Sequence, residues 1–192
     1  TELSGDFPAV RVQSTLSPVP SFADALHRWL KEGGDQPQNS MFDRVVQSHH
    51  DALKLSKEQY DIDLLLSDKE VLQILLDHYL LETNTVVSNI LADLALVQLT
   101  QANQQNRLAD PVALFHLSNG ARLERINTFA DMSPRGLSIS YGVMVNYLYD
   151  LKDVESNHES FVTEGKVRLS EALEKKLRQF KKTAEKSVLN QE

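Results

Sequence analysis

The spacing of apolar residues divides the chain into a short strand, a long helical region and a β-rich region. Val10 and Val12 alternate with polar residues, which predicts a strand and a following loop within residues 8–20. From 21 to 109, apolar residues recur at helical spacing, and Ser21 is suitably placed to cap the first helix. The pattern therefore predicts a strand followed by a helical block.

The pattern changes after this block. Residues 112–130 and 137–151 are rich in residues typical of strands, and Pro134 and Gly136 indicate a turn between them. We therefore predict strands across residues 110–151.

Residues 152–192 form the predicted C-terminal tail, whose helix begins near Ser170 and carries many Glu and Lys residues. The order of strand, helical block, strand pair and helix predicts an α+β fold.

Composition narrows the classes of function. The chain has 192 residues, 41% of them hydrophobic, and a formal net charge of −7, which disfavours nucleic acid as a partner. No apolar run reaches the roughly 18 residues needed to span a membrane. The chain contains no cysteine, which excludes disulfides and thiolate chemistry. It opens without an initiator methionine, which is compatible with missing upstream sequence and a missing targeting segment.

The histidines outside the β-rich region do not indicate a metal site. His49 and His50 are adjacent, so on a helix their rings point about 100° apart and do not face one ion. His27 and His78 are expected at helix surfaces, and His158 in a turn or cap. The sequence has no Gly-rich phosphate loop, GxSxG elbow or CxxC motif.

A small set of polar residues stands in an otherwise apolar β context: Ser17, His116, Asn119, Asn146, Tyr147 and Tyr149. Strand alternation places Tyr147 and Tyr149 on one face and Asn146 on the other. His116, between Phe115 and Leu117, is either a core histidine beside the turn at Asn119-Gly120 or a catalytic imidazole on a strand. The residues alone leave both interpretations open.

Three segments carry a resemblance to a known family. They are "STLSPVPSF" (14–22), "DPVALFHLSNGARLERIN" (110–127) and "ISYGVMVNYLYDL" (139–151). Together they resemble the C-terminal part of malonyl-CoA decarboxylases, and "NHESFVTEGKV" (157–167) resembles the segment that follows in the bacterial members. The resemblance covers nearly the whole chain.

The resemblance implies a partial N-acetyltransferase (GNAT)-like sheet with an inserted helical block and a C-terminal helix. The chain would then be the C-terminal portion of one catalytic domain, without the family's N-terminal helical domain. A family glutamate that helps to build the site would lie upstream.

The family motifs also suggest site residues. The family's catalytic serine corresponds to Ser17 in "LSPVP", and its catalytic histidine to His116 in "FHLSNGA". We expect Asn119, Asn146 and Tyr149 to bind substrate. A helix-approach cap is the alternative for Ser17, turn chemistry for Asn119, and packing for Asn146 and Tyr149.

Two positions depart from the family. Thr128 stands where tryptophan is usual, and Tyr141 stands where a small residue is usual. Both changes bear on the shape of the pocket.

The implied function is cofactor-independent decarboxylation of malonyl-CoA to acetyl-CoA and CO₂. Neither a metal nor an organic cofactor is required, because the thioester accepts the electrons of the broken bond. The expected partners are malonyl-CoA and acetyl-CoA, together with further copies of the chain or the remaining part of the same protein; nucleic acid and membrane are not expected. The bacterial resemblance suggests the cytoplasm, with mitochondria and peroxisomes left open.

Two alternatives remain at this point: an acyl-CoA-binding transferase of the same fold, or an inactive homologue that acts as an interaction module. Activity of these 192 residues alone is also left open.

Overall fold

The computed structural model describes residues 11–32, 37–78, 84–101 and 110–189 of the chain. It shows a mixed α/β architecture with a small antiparallel sheet, which confirms the coarse α+β prediction. The helices are α1 (Phe22–Glu32), α2 (Pro37–Ser48), α3 (His50–Gln59), α4 (Asp68–His78), α5 (Thr85–Thr100), α6 (Pro111–Ser118), α7 (Pro134–Ser140), α8 (Val154–Glu164) and α9 (Glu171–Leu189). The strands are β1 (Val12–Ser14), β2 (Ser17–Pro18), β3 (Arg122–Asn127) and β4 (Met144–Asp150).

Helix α5 lies at the centre of the helical block. It contacts α1, α2, α3, α4 and α9, and also strand β3, so side chains on most of its surface are buried. This environment accounts for a sequence that is apolar nearly all round. Its first turn is capped by Asn84, whose side chain accepts hydrogen bonds from the backbone N–H groups of Val86 and Val87. In the described parts of the chain, no helix combines the length and apolar character that a membrane span requires.

Strand β4 is the middle strand of the sheet, with β3 on one side and β1 and β2 on the other. Strands β1 and β2 keep one antiparallel register along β4, since Val12 lies opposite Asp150 and Ser17 opposite Val145. Between them, the Thr15 N–H donates to the Tyr147 carbonyl over 2.9 Å. Residues 12–18 therefore run along β4 as one edge of the sheet. The remainder of the strand predicted near Val10 lies outside the described residues.

The prediction of strands throughout 110–151 is wrong in two places. Residues 111–118 form helix α6, so His116 lies on a helix and not on a strand. Residues 134–140, predicted as a turn and the start of a strand, form helix α7. Each helix starts with a polar cap followed by proline, a signal that favours a helix start. The apolar run in α6 does not distinguish a short helix from a strand.

The turn at Asn119-Gly120 is present, but it ends a helix instead of joining two parts of a strand. Gly120 has a φ of +81°, and a Cβ atom there would lie 2.1 Å from the Val154 carbonyl oxygen. Only glycine fits this close approach. The chain can therefore leave α6 and enter β3 while α8 packs against α6.

The C-terminal tail contains two helices instead of one. Helix α9 begins next to Ser170, as predicted, but α8 precedes it. His158, expected in a turn or cap, lies within α8. The helix ends at Gly165, whose φ of +65° is the left-handed conformation common after a helix.

We predict that Leu94→Ala will lower the free energy of unfolding by about 2–5 kcal/mol, because it removes a fully buried side chain from α5. Leu65→Ala is the matched control, since Leu65 is 92% exposed and its truncation should change little. Urea denaturation of both variants measures the difference. Equal effects would contradict the central position of α5.

Candidate active site

Ser17 and His116 meet although 99 positions separate them in the sequence. The Ser17 Oγ and the His116 Nε2 lie 3.1 Å apart, within hydrogen-bond distance. The two residues are only 8% and 9% exposed, respectively. The structure therefore brings together the serine and the histidine that the motifs single out.

The register of the sheet places Ser17. It lies opposite Val145, so its side chain points to the face of β4 that also carries Tyr147 and Tyr149. Its hydroxyl donates to the Thr15 Oγ1 over 3.2 Å. Pro18 follows at once and restricts the backbone beside the hydroxyl.

The C-terminal turn of α6 places His116 over this same face of the sheet. Its Nδ1 lies 2.7 Å from the Tyr149 hydroxyl, on the side of the ring away from Ser17. The imidazole is thus held at both nitrogens by groups on two strands.

A buried carboxylate connects the two segments of the site. Asp110 is 1% exposed and caps α6, where its Oδ1 accepts from the N–H groups of Val112 and Ala113. Its Oδ2 accepts from the N–H of Ser21 over 3.0 Å and from the Ser21 hydroxyl over 2.8 Å. Ser21 stands four residues after Ser17. The Asp110 side chain therefore fixes the start of α6 against the segment that follows Ser17. Ser21 precedes α1 as predicted, and its hydroxyl bonds to Asp110.

The hydrogen bonds form a continuous chain of four side chains: Tyr149, His116, Ser17 and Thr15. When the Ser17 hydroxyl donates to Thr15, its oxygen is free to accept the Nε2–H of His116. The Nδ1 of that tautomer accepts the Tyr149 O–H. The four hydrogen-bonded side chains can therefore present a donor at Nε2 while Nδ1 accepts a hydrogen bond from the other side.

Burial favours the neutral forms of His116 and Tyr149, the titrating groups in this row of hydrogen bonds. Desolvation lowers the pKa of His116 below its usual value, which favours the uncharged imidazole at neutral pH. Desolvation also raises the pKa of Tyr149, so its hydroxyl keeps its proton. The cluster consequently consists of neutral donors and acceptors.

Aromatic rings surround the imidazole. Tyr147 stacks on it with ring centroids 4.4 Å apart and an angle of 19° between the planes. Phe115 meets it edge-on, with centroids 5.2 Å apart, and is 62% exposed. His116 thus lies between a buried aromatic wall and an exposed aromatic edge.

Asn119 and Asn146 do not join this cluster. Asn119 is exposed at the end of α6, where its amide donates to the Phe115 carbonyl over 2.7 Å. Asn146 points to the opposite face of β4, accepts from Asn127 and donates to the Thr15 carbonyl. It lines an open groove of about 1100 Å³ on that face. Their role in substrate binding stays a prediction.

The two departures from the family make their polar contacts elsewhere. Thr128 lies 2.6 Å from the Ser88 hydroxyl on α5, hydroxyl to hydroxyl. Tyr141 has a left-handed backbone, with a φ of 51°, and its hydroxyl bonds to the His27 ring. Burial, with a smaller contribution from the Asp77 charge, raises the pKa of Tyr141 to about 12.

The adjacent histidines bind different partners, and His49 lies between α2 and α3 instead of on one helix with His50. The His49 Nε2 lies 2.8 Å from the Asp93 carboxylate, and the His50 Nδ1 lies 2.8 Å from the Asp68 carboxylate. Asp93 also receives the Lys176 ammonium at 3.0 Å. These contacts join helices rather than build a pocket.

Sequence reasoning missed Asp110 and Thr15. The signal for Asp110 was present, since an aspartate before Pro111 is a typical helix cap. Its bonds to Ser21 had no local signal. Thr15 could be identified only from the strand register, which places it on the same face as Ser17.

Comparison with known proteins links these features to one family. The family described as "Malonyl-CoA decarboxylase C-terminal domain" matches residues 1–187. The mitochondrial malonyl-CoA decarboxylase of the goose Anser anser anser is 29% identical over 189 residues, which is 95% of this chain and 35% of that protein. The mouse (Mus musculus) enzyme is 29% identical over 180 residues, which is 93% of this chain and again 35% of that protein.

Solved structures agree. The malonyl-CoA decarboxylase of Cupriavidus metallidurans matches with a TM-score of 0.70 and 32% identity, over 91% of this chain and 40% of that one. The enzyme of Rhodopseudomonas palustris matches with a TM-score of 0.68 and 32% identity, over 91% of this chain and 35% of that one. The chain thus spans between 35% and 40% of the length of these four proteins.

We predict that Asp110→Asn will lower the free energy of unfolding by about 2–3 kcal/mol, because an amide cannot accept from four donors as the carboxylate does. Chemical denaturation measures the loss. Asp153→Asn is the control, since Asp153 precedes α8 as a cap whose side chain makes no capping hydrogen bond. Similar losses in both variants would contradict a stabilising role for the four hydrogen bonds of Asp110.

Proposed function

This chain belongs to the malonyl-CoA decarboxylase family, and from that premise we propose that the protein carrying it converts malonyl-CoA to acetyl-CoA and CO₂. The observation that carries the proposal is the placement of the two motif residues, Ser17 and His116, 3.1 Å apart on one face of the sheet. Family membership supplies the substrate, and this placement supplies donors that suit its chemistry.

The reaction requires stabilisation of a transient enolate. The bond between C2 and the carboxylate breaks, its electron pair moves into the thioester, and CO₂ departs. A proton from solvent ends on C2 and completes acetyl-CoA. Donors fixed in advance near the thioester oxygen lower the barrier to this step. The thioester holds the electrons itself, so the proposed reaction needs no cofactor or metal.

His116 is the proposed donor to the enolate. Its Nε2–H points towards Ser17, and the thioester oxygen would accept this hydrogen in place of the Ser17 oxygen when the substrate binds. Tyr149 supports the tautomer with a proton on Nε2 by donating a hydrogen bond from its hydroxyl to Nδ1.

Ser17 is the proposed group that orients the departing carboxylate. Its hydroxyl lies beside the imidazole and would turn its single proton from Thr15 to the carboxylate when the substrate binds. Holding the carboxylate out of the thioester plane aligns the breaking bond with the electron-accepting system. Phe115, exposed beside the ring, would cover the apolar side of the acyl group.

The finer fold and the assembly also belong to this proposal. The sheet with β4 between β3 and residues 12–18 is compatible with one end of a GNAT-like sheet. Along the outer side of residues 12–18, among the described residues, the edge carries no paired strand. We assign that edge to further strands of the same protein or to another copy of the chain.

The proposed chemistry predicts the effect of replacing the two motif residues. In the natural protein that carries this chain, His116→Gln and Ser17→Ala should each lower the rate of acetyl-CoA formation about 100-fold or more, because each removes a donor fixed at the site. His50→Gln is the control, because His50 is exposed and bonds to Asp68 away from the site. Circular dichroism checks that the variants fold.

Product analysis in the same assay separates the alternatives. Release of CO₂ with acetyl-CoA supports decarboxylation. Transfer of the malonyl group to an acceptor would instead show that the protein is an acyl-CoA transferase. A folded natural protein that binds malonyl-CoA without converting it would favour the inactive homologue.

The proposed chemistry also predicts how the rate depends on pH. Because the reaction uses neutral His116 and burial lowers its pKa, kcat/KM should be constant near neutral pH and fall only below about pH 6.5. The raised pKa of Tyr149 places any alkaline loss above about pH 10. A pH profile of malonyl-CoA turnover measures both limits. Activity that rises as pH falls below 6.5 would show that the protonated imidazole is the active form.

A further inference from the structure

Tyr147 lies against the site, and the proposed chemistry leaves it without a role. It is 0% exposed on the middle strand β4. Its ring lies nearly parallel to the imidazole of His116, with centroids 4.4 Å apart. This is the most extensive aromatic contact that the histidine makes among the described residues.

The hydroxyl of Tyr147 is an unusual feature of this contact. It is buried and has no hydrogen-bond partner among the described residues. The nearby Asp110 carboxylate already accepts two hydrogen bonds on each oxygen. A buried donor without a partner destabilises the fold, and phenylalanine would fill nearly the same space without that penalty. The hydroxyl therefore does not explain why an aromatic side chain at position 147 packs on His116.

The face of the Tyr147 ring offers a better explanation for this packing. The His116 nitrogens reach Ser17 and Tyr149 only in one orientation of the imidazole plane, and a flat ring packed against that plane blocks its rotation. An aromatic face also attracts the protonated imidazole, which opposes the effect of burial.

We infer that Tyr147 is a positioning residue whose ring face holds the imidazole of His116 in line with Ser17 and Tyr149, while its hydroxyl takes no part in the reaction. The inference rests on the proposed role of His116. It is independent of Tyr149, which binds the edge of the same ring through its hydroxyl.

Few other ionisable groups act on the imidazole. On β4, Tyr147 and Tyr149 contact it, and burial raises the pKa of both. Asp110 lies at the far end of the same helix. On α8, His158 binds the Ser118 carbonyl instead of the ring. On β3, Arg122 and Glu124 pair with each other, and both line the groove on the opposite face.

The test compares Tyr147→Phe with Tyr147→Leu in the natural protein that carries this chain. Tyr147→Phe keeps the ring face, so kcat should stay within about twofold and the thermal midpoint should rise as the unpaired hydroxyl is removed. Tyr147→Leu removes the face, so kcat should fall about tenfold or more while KM changes little. The proton affinity of His116, followed by NMR of its ring nitrogens, should fall about threefold in Tyr147→Leu relative to Tyr147→Phe.

Phe42→Leu controls for general loosening of the core, since Phe42 is 1% exposed and packs against Trp29 away from the site. If Tyr147→Leu does not fold, Tyr147→Met removes the ring with the same expectations. The inference is overturned if the variant without a ring keeps the native kcat and the native His116 titration, or if Tyr147→Phe loses activity as strongly as Tyr147→Leu. The NMR titration needs no substrate, so it decides the role of Tyr147 even if the protein does not decarboxylate malonyl-CoA.

Discussion

The buried carboxylate of Asp110 is the interaction on which the candidate site depends. A carboxylate that is 1% exposed is tolerated only when its oxygens are fully hydrogen bonded, and this one accepts four bonds. Two of its donors belong to the first turn of α6 and two belong to Ser21, 89 positions earlier in the sequence. The carboxylate therefore fixes where α6 begins relative to Ser21, which follows strand β2 of Ser17. His116 lies six residues further along α6, about 9 Å up the helix axis, and the rigid helix carries that placement to the imidazole.

The candidate site depends secondly on strand β4. Its side chains alternate between two faces, and only one of these faces carries site residues. Val145, Tyr147 and Tyr149 point towards α6, and the register adds Ser17 to the same face. Asn146, between them, points the other way and bonds across the sheet to Asn127. The site is thus one end of a helix laid over one face of a sheet. Its side chains are carried by regular elements, which hold their positions more narrowly than loops do.

Sequence reasoning predicted the helical block from periodicity, and it proposed Ser17, His116 and Tyr149 as site residues from the family motifs. Helical periodicity is local, so helices such as α5 were predictable from the chain alone. The meeting of Ser17 with His116 is not local, and only the family motifs indicated it. The error at α6 arose because eight mostly apolar residues fit a short helix as well as a strand, and the cap at Asp110 was not weighed. The contact between Asp110 and Ser21, and the stacking of Tyr147 on His116, depend on tertiary packing that no local pattern encodes.

Neutrality of the cluster bears directly on the proposed catalysis. The malonyl group carries a negative charge on its carboxylate before the reaction and on the thioester oxygen during it. A protonated imidazole would attract the carboxylate in the ground state as strongly as the enolate, and such uniform binding does not accelerate the chemical step. Neutral donors held by Tyr149, Ser17 and Thr15 interact most strongly where charge develops. Burial lowers the pKa of His116 and raises that of Tyr149, and both shifts favour this neutral arrangement. The same burial that places the imidazole against the sheet therefore also keeps it in the protonation state that differential binding of the enolate requires.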